Sequence, residues 1–294
     1  DKDVLNAYIF SSTLGTLAQQ SMSRVSSQMQ QDIIVGAEYK FYSYLDTITS
    51  GTEIIRGMHA DTVINGVTGD KRGIILATKA FTELIDVEEL DTLASDPTST
   101  IAMNAVKWTN RVKDSVGIAA ITANALTGKL GGTSTQYDTD MTITTISGFD
   151  IYDNVIAPIS EMLAESDYEE RTVVVIPPQA ATKLKACDEF KNSLYANALG
   201  ARPSGNFGPG FIGSLDNLDF YVMSSTMLGS ATIYKYGYYF NKSSMQFATN
   251  GNSGISVVVN DRPDKNNAKQ CQVKVTCGCT RLNETGGGLI KFVF

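Results

Sequence analysis

The chain has little of the chemistry on which most catalytic sites depend. One histidine, His59, stands among 294 residues, with four cysteines and one tryptophan. A Ser-His-Asp or Cys-His site would have to rest on that one imidazole, so an exposed loop histidine is the expected role for it. Zinc held by several imidazoles is excluded. Four cysteines (Cys187, Cys271, Cys277 and Cys279) in a chain of this length do not make a disulfide framework, and they point to a reducing compartment. The longest apolar stretches, Thr172 to Pro178 and Gly117 to Leu126, fall far short of the roughly 18 to 20 residues that carry a helix across a bilayer. No membrane role is expected. Lys/Arg runs are also missing, and a net charge of −7 with a pI near 4.8 removes the electrostatic attraction that dominates nucleic-acid affinity.

What is present suits a folded body. Hydrophobic residues make up 43% of the chain and charged residues only 19%, enough apolar surface for a sizeable core and too little charge for a disordered chain. The sequence opens at Asp1 without an initiator methionine or a signal segment, which suggests a start produced by processing or trimming.

From Val4 to Ile34 the residues Leu14, Leu17, Met22, Val25, Met29 and Ile33 recur mostly at three- and four-residue spacing, which predicts an amphipathic helix in a Ser/Gln-rich background. The stripe is narrow, so the segment needs a partner surface or is an ordinary surface helix. Between Ser50 and Phe81, β-prone pairs alternate with glycines, and Asn65-Gly66 is a strong hairpin signal. This reads as a projecting two-stranded loop with its tip near Gly69 to Gly73. Asp96 as cap, Pro97 at the first helical position and Gly128 as terminator then bracket one long helix. Its apolar face is Ile101, Ala105, Trp108, Val112, Val116, Ala119, Ala123 and Leu126, and from Pro97 to Thr127 it would run about 46 Å.

A second helix is predicted through Phe149, Tyr152, Ile156, Ile159 and Leu163, with a kink at Pro158. Thr172 to Ile176 is an uninterrupted β-branched run and reads as a buried central strand. Pro177-Pro178 stops it and starts a short helix from Gln179 to Cys187. Leu199 to Gly213 reads as a loop, with strands following at Leu218 to Val222, Thr232 to Phe240, Gly254 to Val259, Gln272 to Cys277 and Leu289 to Phe294. Helices and strands mix without a regular βαβ repeat, so the fold class is α+β.

The remaining motifs do not assemble a catalytic or cofactor site. Gly208-Pro-Gly210-Phe-Ile-Gly213 spells the dinucleotide fingerprint, but it lies between a loop and a strand and offers no helix N-terminus to a pyrophosphate. Thr127-Gly128-Lys129 lacks the upstream glycine of a phosphate loop. Asp138 and Asp140 fill two calcium-loop positions only and read as a solvated turn, and the run Asp86, Glu88, Glu89, Asp91 reads as a hydrated face or helix start. Cys271, Cys277 and Cys279 lack the paired-knuckle spacing of a zinc site and are expected to be reduced strand cysteines. Asn241-Lys-Ser243 and Asn283-Glu-Thr285 matter as sequons only in a secretory pathway. No enzyme, cofactor or metal is expected. A long helix, a projecting hairpin and an N-terminal segment in want of a partner are features of an assembly subunit, whose exposed β-edges neighbours can cover.

Two stretches carry a resemblance: Arg171-Thr-Val-Val-Val-Ile-Pro-Pro-Gln-Ala-Ala-Thr-Lys-Leu184, and Gly210-Phe-Ile-Gly213-Ser-Leu-Asp-Asn-Leu-Asp-Phe-Tyr-Val-Met-Ser224. They resemble the major capsid proteins of tailed bacteriophages, the Hong Kong 97-type fold. In that family a strand ends in Pro before a short helix, and a Gly-x-x-Gly loop leads into a strand ending in Ser, both in the axial domain. The resemblance implies an N-terminal arm over 1–49, an extended β-hairpin loop over 50–86 and a peripheral domain with the spine helix over 87–146. An axial domain with a central mixed sheet would cover 147–250, with a return to the peripheral domain over 251–294.

It further implies a subunit that self-assembles as hexamers and pentamers into an icosahedral shell around double-stranded DNA bound without sequence specificity. Assembly would take place in the host cytoplasm and the product would be the virion. Portal, scaffolding protein and maturation protease would be partners in assembly, with decoration proteins as possible later ones. Lys71 and Arg72 would meet an acidic surface on an adjacent subunit, with Trp108 and Arg202 as further inter-subunit contacts. Some relatives cross-link a loop lysine to an asparagine, for which Lys71 and Lys79 are the positions in view. The rival readings are an encapsulin-type nanocompartment of the same fold, a filament or surface-layer protein, and, least supported, an enzyme.

Overall fold

A computed structural model of the chain describes residues 22–45, 69–85, 98–128, 131–166, 168, 170–191, 210–251, 254–265 and 268–294. Asp1, His59, the Asn65-Gly66 turn, the acidic run from Asp86 to Asp91, and Arg202 lie outside these residues. Among the described residues, no helix is long and apolar enough to cross a membrane.

The N-terminal segment departs from the predicted helix. One 3₁₀ turn, Ser26–Gln28, is followed by strand β1, Gln30–Ile34. Val25 and Met29 are fully buried as the spacing foretold, but Ile33 is 48% exposed. Long-range pairing overrides the local period, because β1 runs parallel to β12, Met245–Asn250, in a register that sets Gln30 against Gln246.

The hairpin is longer and differently placed than predicted. Strands β2, Tyr39–Leu45, and β3, Gly69–Ile75, pair antiparallel from Tyr39 opposite Ile75 to Leu45 opposite Gly69. Gly69 to Gly73 therefore form a returning strand, not a tip. Gly73 serves close packing there, since a Cβ on it would stand 3.1 Å from the Phe41 ring. Strand β4, Ala77–Ile85, then leaves the hairpin and pairs with β14, Ala268–Arg281.

The spine helix, α1, spans Thr98–Thr122, about 37 Å. It stops short of the predicted end because Ala125–Thr127 becomes strand β5, which pairs with Arg72 and Gly73 of β3 and with β6, Thr133–Thr135. The buried stripe also changes. Ala105 and Val112 lie inside as expected, but in the second half Ile118 and Ile121 are buried while Ala119 and Ala123 face outward.

After the short strand β7, Thr142–Thr144, the second helix begins as a π-turn at Tyr152–Ile156 and continues as α2, Ala157–Glu165. Pro158, where a kink was predicted, lies just past the change from π-turn to α-helix, and a residue without an N–H is accommodated where the helix changes type. Strand β8, Thr172–Ile176, is buried at all five positions, and α3, Pro178–Ala186, follows it directly. The four-residue helix α4, Asp188–Lys191, completes this half. Strands β9, Phe211–Leu215, and β10, Leu218–Val222, form a hairpin where Phe211 to Gly213 had read as loop. The signal lay in Asp216-Asn217, both at positive φ (51° and 61°), the conformation of a tight two-residue turn. A short helix α5, Ser225–Leu228, leads to β11, Tyr234–Asn241.

A six-stranded mixed sheet, ordered β7-β15-β11-β8-β10-β9, stands at the centre, where β15 is Gly287–Val293. One face carries Val174, Ile176, Phe220, Tyr239 and Phe292 against Ile156, Ile159, Leu163 and Leu184 of the helices. The other carries Val173, Val175, Tyr221 and Phe240 against Ile118 and Ile121 of α1, Met29, and Phe247 and Val275 of the second sheet. Burial on both faces explains why β8 is an unbroken apolar run, with about 1.5–3 kcal/mol for each large side chain enclosed. The second sheet is ordered β1-β12-β14-β13, with β4 also on β14, and β13 is Ile255–Arg262. The stretch 251–294 thus divides between two sheets: β13 and β14 join the second, whereas β15 joins the six-stranded one. Gly287 permits that docking, since a Cβ there would lie 2.9 Å from the Tyr239 carbonyl oxygen.

Candidate assembly site

Two polar junctions hold the parts of the subunit in register. The first fastens the N-terminal segment to the spine helix. Asp114 of α1 is fully buried, and its carboxylate accepts N–H bonds from Arg24 (2.9 Å), Val25 (3.1 Å) and Ser26 (3.0 Å) and a hydroxyl bond from Ser23 (2.6 Å). Buried charge is costly unless donors surround it, and these are charge-assisted bonds to otherwise unpaired amides. Arg24 extends the clasp by donating to the Val222 carbonyl (2.8 Å) at the end of β10. Met29 seats over Gly117, whose missing side chain leaves room for a sulfur 3.2 Å from where a Cβ would stand.

The second junction lies where the hairpin base, the end of α1 and the end of β14 converge. Arg281, 1% exposed, donates to the carbonyls of Ile121 (2.7 Å), Ala123 (3.0 Å) and Gln136 (3.3 Å) and pairs with Glu284 (2.5 Å). A cation at a helix C-terminus meets the negative end of its dipole. Glu284 also pairs with Arg72 (2.9 Å), which donates to the Leu282 carbonyl and lies under the Tyr44 ring.

A third, smaller contact joins β1 to β2, where Lys40 and Tyr42 both donate to Asp32. Burial raises the Asp32 pKa, but the bonds from Lys40 and Tyr42 outweigh it and hold the carboxyl below its ordinary value. Burial, followed by the bond to Asp32, pushes the Tyr42 phenol up.

The residues singled out as inter-subunit contacts separate. Lys71 is exposed on β3. Arg72, next to it, is only 4% exposed and committed to Glu284 of its own chain, so its placement at an exposed loop tip is corrected. Alternation along a strand sends these neighbours to opposite faces. Trp108 is half-buried, its ring 6.1 Å from Phe81 on β4. Lys79 of β4 is exposed.

Cys271, Cys277 and Cys279 share one face of β14, all as free thiols. Burial raises the thiol pKa of each, most strongly for Cys279, whose Sγ lies 3.6 Å from Met29 Sδ. Asp138 caps a 3₁₀ turn by accepting from the Asp140 N–H. Among the described residues, no group of three or more His, Cys, Asp or Glu side chains is placed to hold a metal ion.

The outer surface of the second sheet is open. β13 is exposed at Val257 (45%), Val258 (38%) and Val259 (45%), and β4 is exposed from Ala77 to Ala80. Among the described residues β13 pairs on one side only, and an edge strand with three consecutive exposed valines is a liability to an isolated chain and an asset to one that lives among copies.

Sequence reasoning missed Asp114 and Arg281. Each left a trace as a lone charge on an apolar face: Asp114 shares a helical face with Ile118 and Ile121, and Arg281 a strand face with Cys277 and Cys279.

A mixed six-stranded sheet flanked by helices, a spine helix crossing its other face, a second sheet, and a third of order β2-β3-β5-β6 define the Hong Kong 97-type capsid fold. The capsid of Ralstonia phage GP4 superposes with a TM-score of 0.69 at 11% identity, over 97% of this chain and 94% of that one. The capsid of cyanophage P-SCSP1u gives 0.66 at 12% identity over 99% and 93%, and Mycobacterium phage Ogopogo 0.64 at 17% over 94% of each. No curated protein matches the sequence. The family of phage capsid proteins matches residues 7–293, and the chain belongs to it. It is a structural protein of the bacteriophage virion, not an enzyme.

Proposed function

We propose that the chain is the mature major capsid subunit, assembling as hexamers and pentamers into an icosahedral shell that encloses double-stranded DNA. The observation that carries the reading is the family match across residues 7–293. The fold supports it, with the six-stranded sheet as axial domain, the second sheet and α1 as peripheral domain, and β2–β3 as the root of the extended loop. A net charge of −7 suits an inner wall that should not trap the genome, since like charges repel, so DNA is enclosed without sequence-specific contact. Many weak contacts between copies become strong through multiplicity.

Of the four expected contact residues, Lys71 is the one we retain as meeting acidic surface on a neighbour. Arg72 secures the loop base within its own subunit. Assembly takes place in the host cytoplasm with portal, scaffolding protein and maturation protease, and decoration proteins are later partners. Electron microscopy of purified particles, with their absorbance ratio for nucleic acid, tests the proposal. Closed icosahedral shells full of DNA are the expected result. Small shells free of nucleic acid would point to a nanocompartment, and fibres or sheets to a filament or surface layer.

A further inference from the structure

Strand β13 keeps an unbroken antiparallel register with β14 from Ile255 to Arg262, and among the described residues nothing pairs with its other edge. Natural edge strands are normally blunted by a proline, a bulge, a lysine or an inward-pointing charge. From Ile255 to Asn260 this one carries none of them. Its apolar face is also unfinished. Val257 stands opposite Val273 and Val259 opposite Cys271, on the face that carries Val275 and Cys277 into the core. Val273 and Cys271 are fully buried, whereas Val257 and Val259 are each 45% exposed, so the buried row stops one strand short of a cover.

The strand is symmetric about Val258. A valine lies on either side of it, and a polar residue, Ser256 or Asn260, follows on either side of those. An antiparallel two-fold pairing centred there sets Val258 against its own copy, Val257 against Val259 and Ser256 against Asn260. Each pair shares one face, apolar with apolar and hydroxyl with amide, and each half-covered valine row completes the other. Charge does not oppose the pairing. Asp261 and Arg262 fall outside 256–260, and Arg262 is bonded to Asp264 of its own chain (2.7 and 2.6 Å).

We propose that β13 pairs antiparallel with β13 of a second copy across a two-fold axis at Val258, joining the second sheets of two subunits into one. A two-fold contact requires a self-complementary patch, and a symmetric strand is one. The contact rests on the capsid reading and adds to it a junction between subunits. One pair of short strands buries far less than the roughly 1,200 Å² of a stable specific interface, so the pairing holds in shells, where many contacts act together, and not between dispersed subunits.

Engineered cysteines test the register. In shells treated with oxidised glutathione, Val258→Cys should form a disulfide between subunits, faster than in dispersed subunits by roughly tenfold or more. Ser256→Cys should not, because two copies of that residue would stand about 13 Å apart, beyond disulfide reach. Ser256→Cys and Asn260→Cys subunits mixed in one shell should link. Val258→Lys should keep the parent's thermal midpoint and assemble less well, since a lysine on an edge blocks pairing. Closed shells in which Val258→Cys links no faster than Ser256→Cys would overturn the proposal and leave the capsid reading standing. Capture of Val258→Cys by Ser43→Cys of β2 would overturn it too, by assigning the edge to a neighbour's arm. Failure of the parent chain to form closed shells would remove the capsid reading, and this contact with it.

Discussion

Asp114 on the spine helix and Ser26 in the N-terminal segment are joined by a buried N–H to carboxylate bond of 3.0 Å, across 88 residues of chain. Arg24 and Val25 present their amides to the same carboxylate, so one side chain sets where the segment crosses the helix.

Replacing Asp114 by Asn removes the charge and turns an NH₂ group toward donors. Leaving buried amides without an acceptor costs about 1–3 kcal/mol, more when the lost partner is charged. The thermal midpoint of the dispersed subunit should fall in calorimetry, by about 2–4 °C for each kcal/mol lost. An unchanged midpoint would show that the clasp holds nothing.

Arg281 makes a comparable prediction at the other junction. Arg281→Met leaves the carbonyls of Ile121 and Ala123 without their donor and Glu284 with Arg72 alone. Breaking a buried pair by removing one partner costs about 3–5 kcal/mol. The urea midpoint should drop accordingly, and proteolysis within the β2–β3 arm should quicken because its base loses support. Equal proteolysis in variant and parent would separate this junction from the hairpin.

Acid should loosen the contact between β1 and β2. The Asp32 carboxyl is held below its ordinary value of 3.8, so the folded state favours its charged form, and that stabilisation is present above the unfolded pKa. It is lost as pH falls through the folded value, below about pH 4. Amide exchange at Ile33 and Tyr42 should rise in that window, and Asp32→Asn should show raised exchange at neutral pH with no further acid step at these positions. A parent protein whose exchange is flat from pH 6 to pH 3 would refute the assignment.

The β14 thiols should be inert. Burial raises the pKa of Cys271, Cys277 and Cys279, so at pH 8 very little thiolate is present. Iodoacetamide should leave them unmodified in the folded subunit and alkylate them in urea. Rapid labelling of Cys279 in the native state would contradict its packing against Met29.

How much of this was legible beforehand depended on whether the cause was local. β8 could be read from Thr172 to Ile176 because burial on both faces leaves an unbroken run, and the body of α1 could be read from the helical spacing of Ala105, Trp108 and Val112. The end of α1 could not, since Ala125 to Thr127 become a strand by pairing with β6 just beyond and with β3 some fifty residues away. Val25 and Met29 were rightly placed inside, but residues 30–34 form a strand where a helix was predicted, because parallel pairing with β12 decides the backbone there. Arg72 looked like an exposed tip residue because its partner Glu284 is remote in sequence. The capsid fold was recognisable from two short stretches around β8 and β10, each readable locally, whereas Asp114 and Arg281 act across distances that no local pattern records.

The central claim is that this subunit closes into an icosahedral shell, and a cryo-electron microscopy reconstruction of purified particles tests it most directly. The account predicts five- and six-membered rings of subunits, with the six-stranded sheets gathered around the ring axes and each β2–β3 arm lying on a neighbouring subunit. Particles without icosahedral order, or rings with the second sheet at the axis, would contradict it.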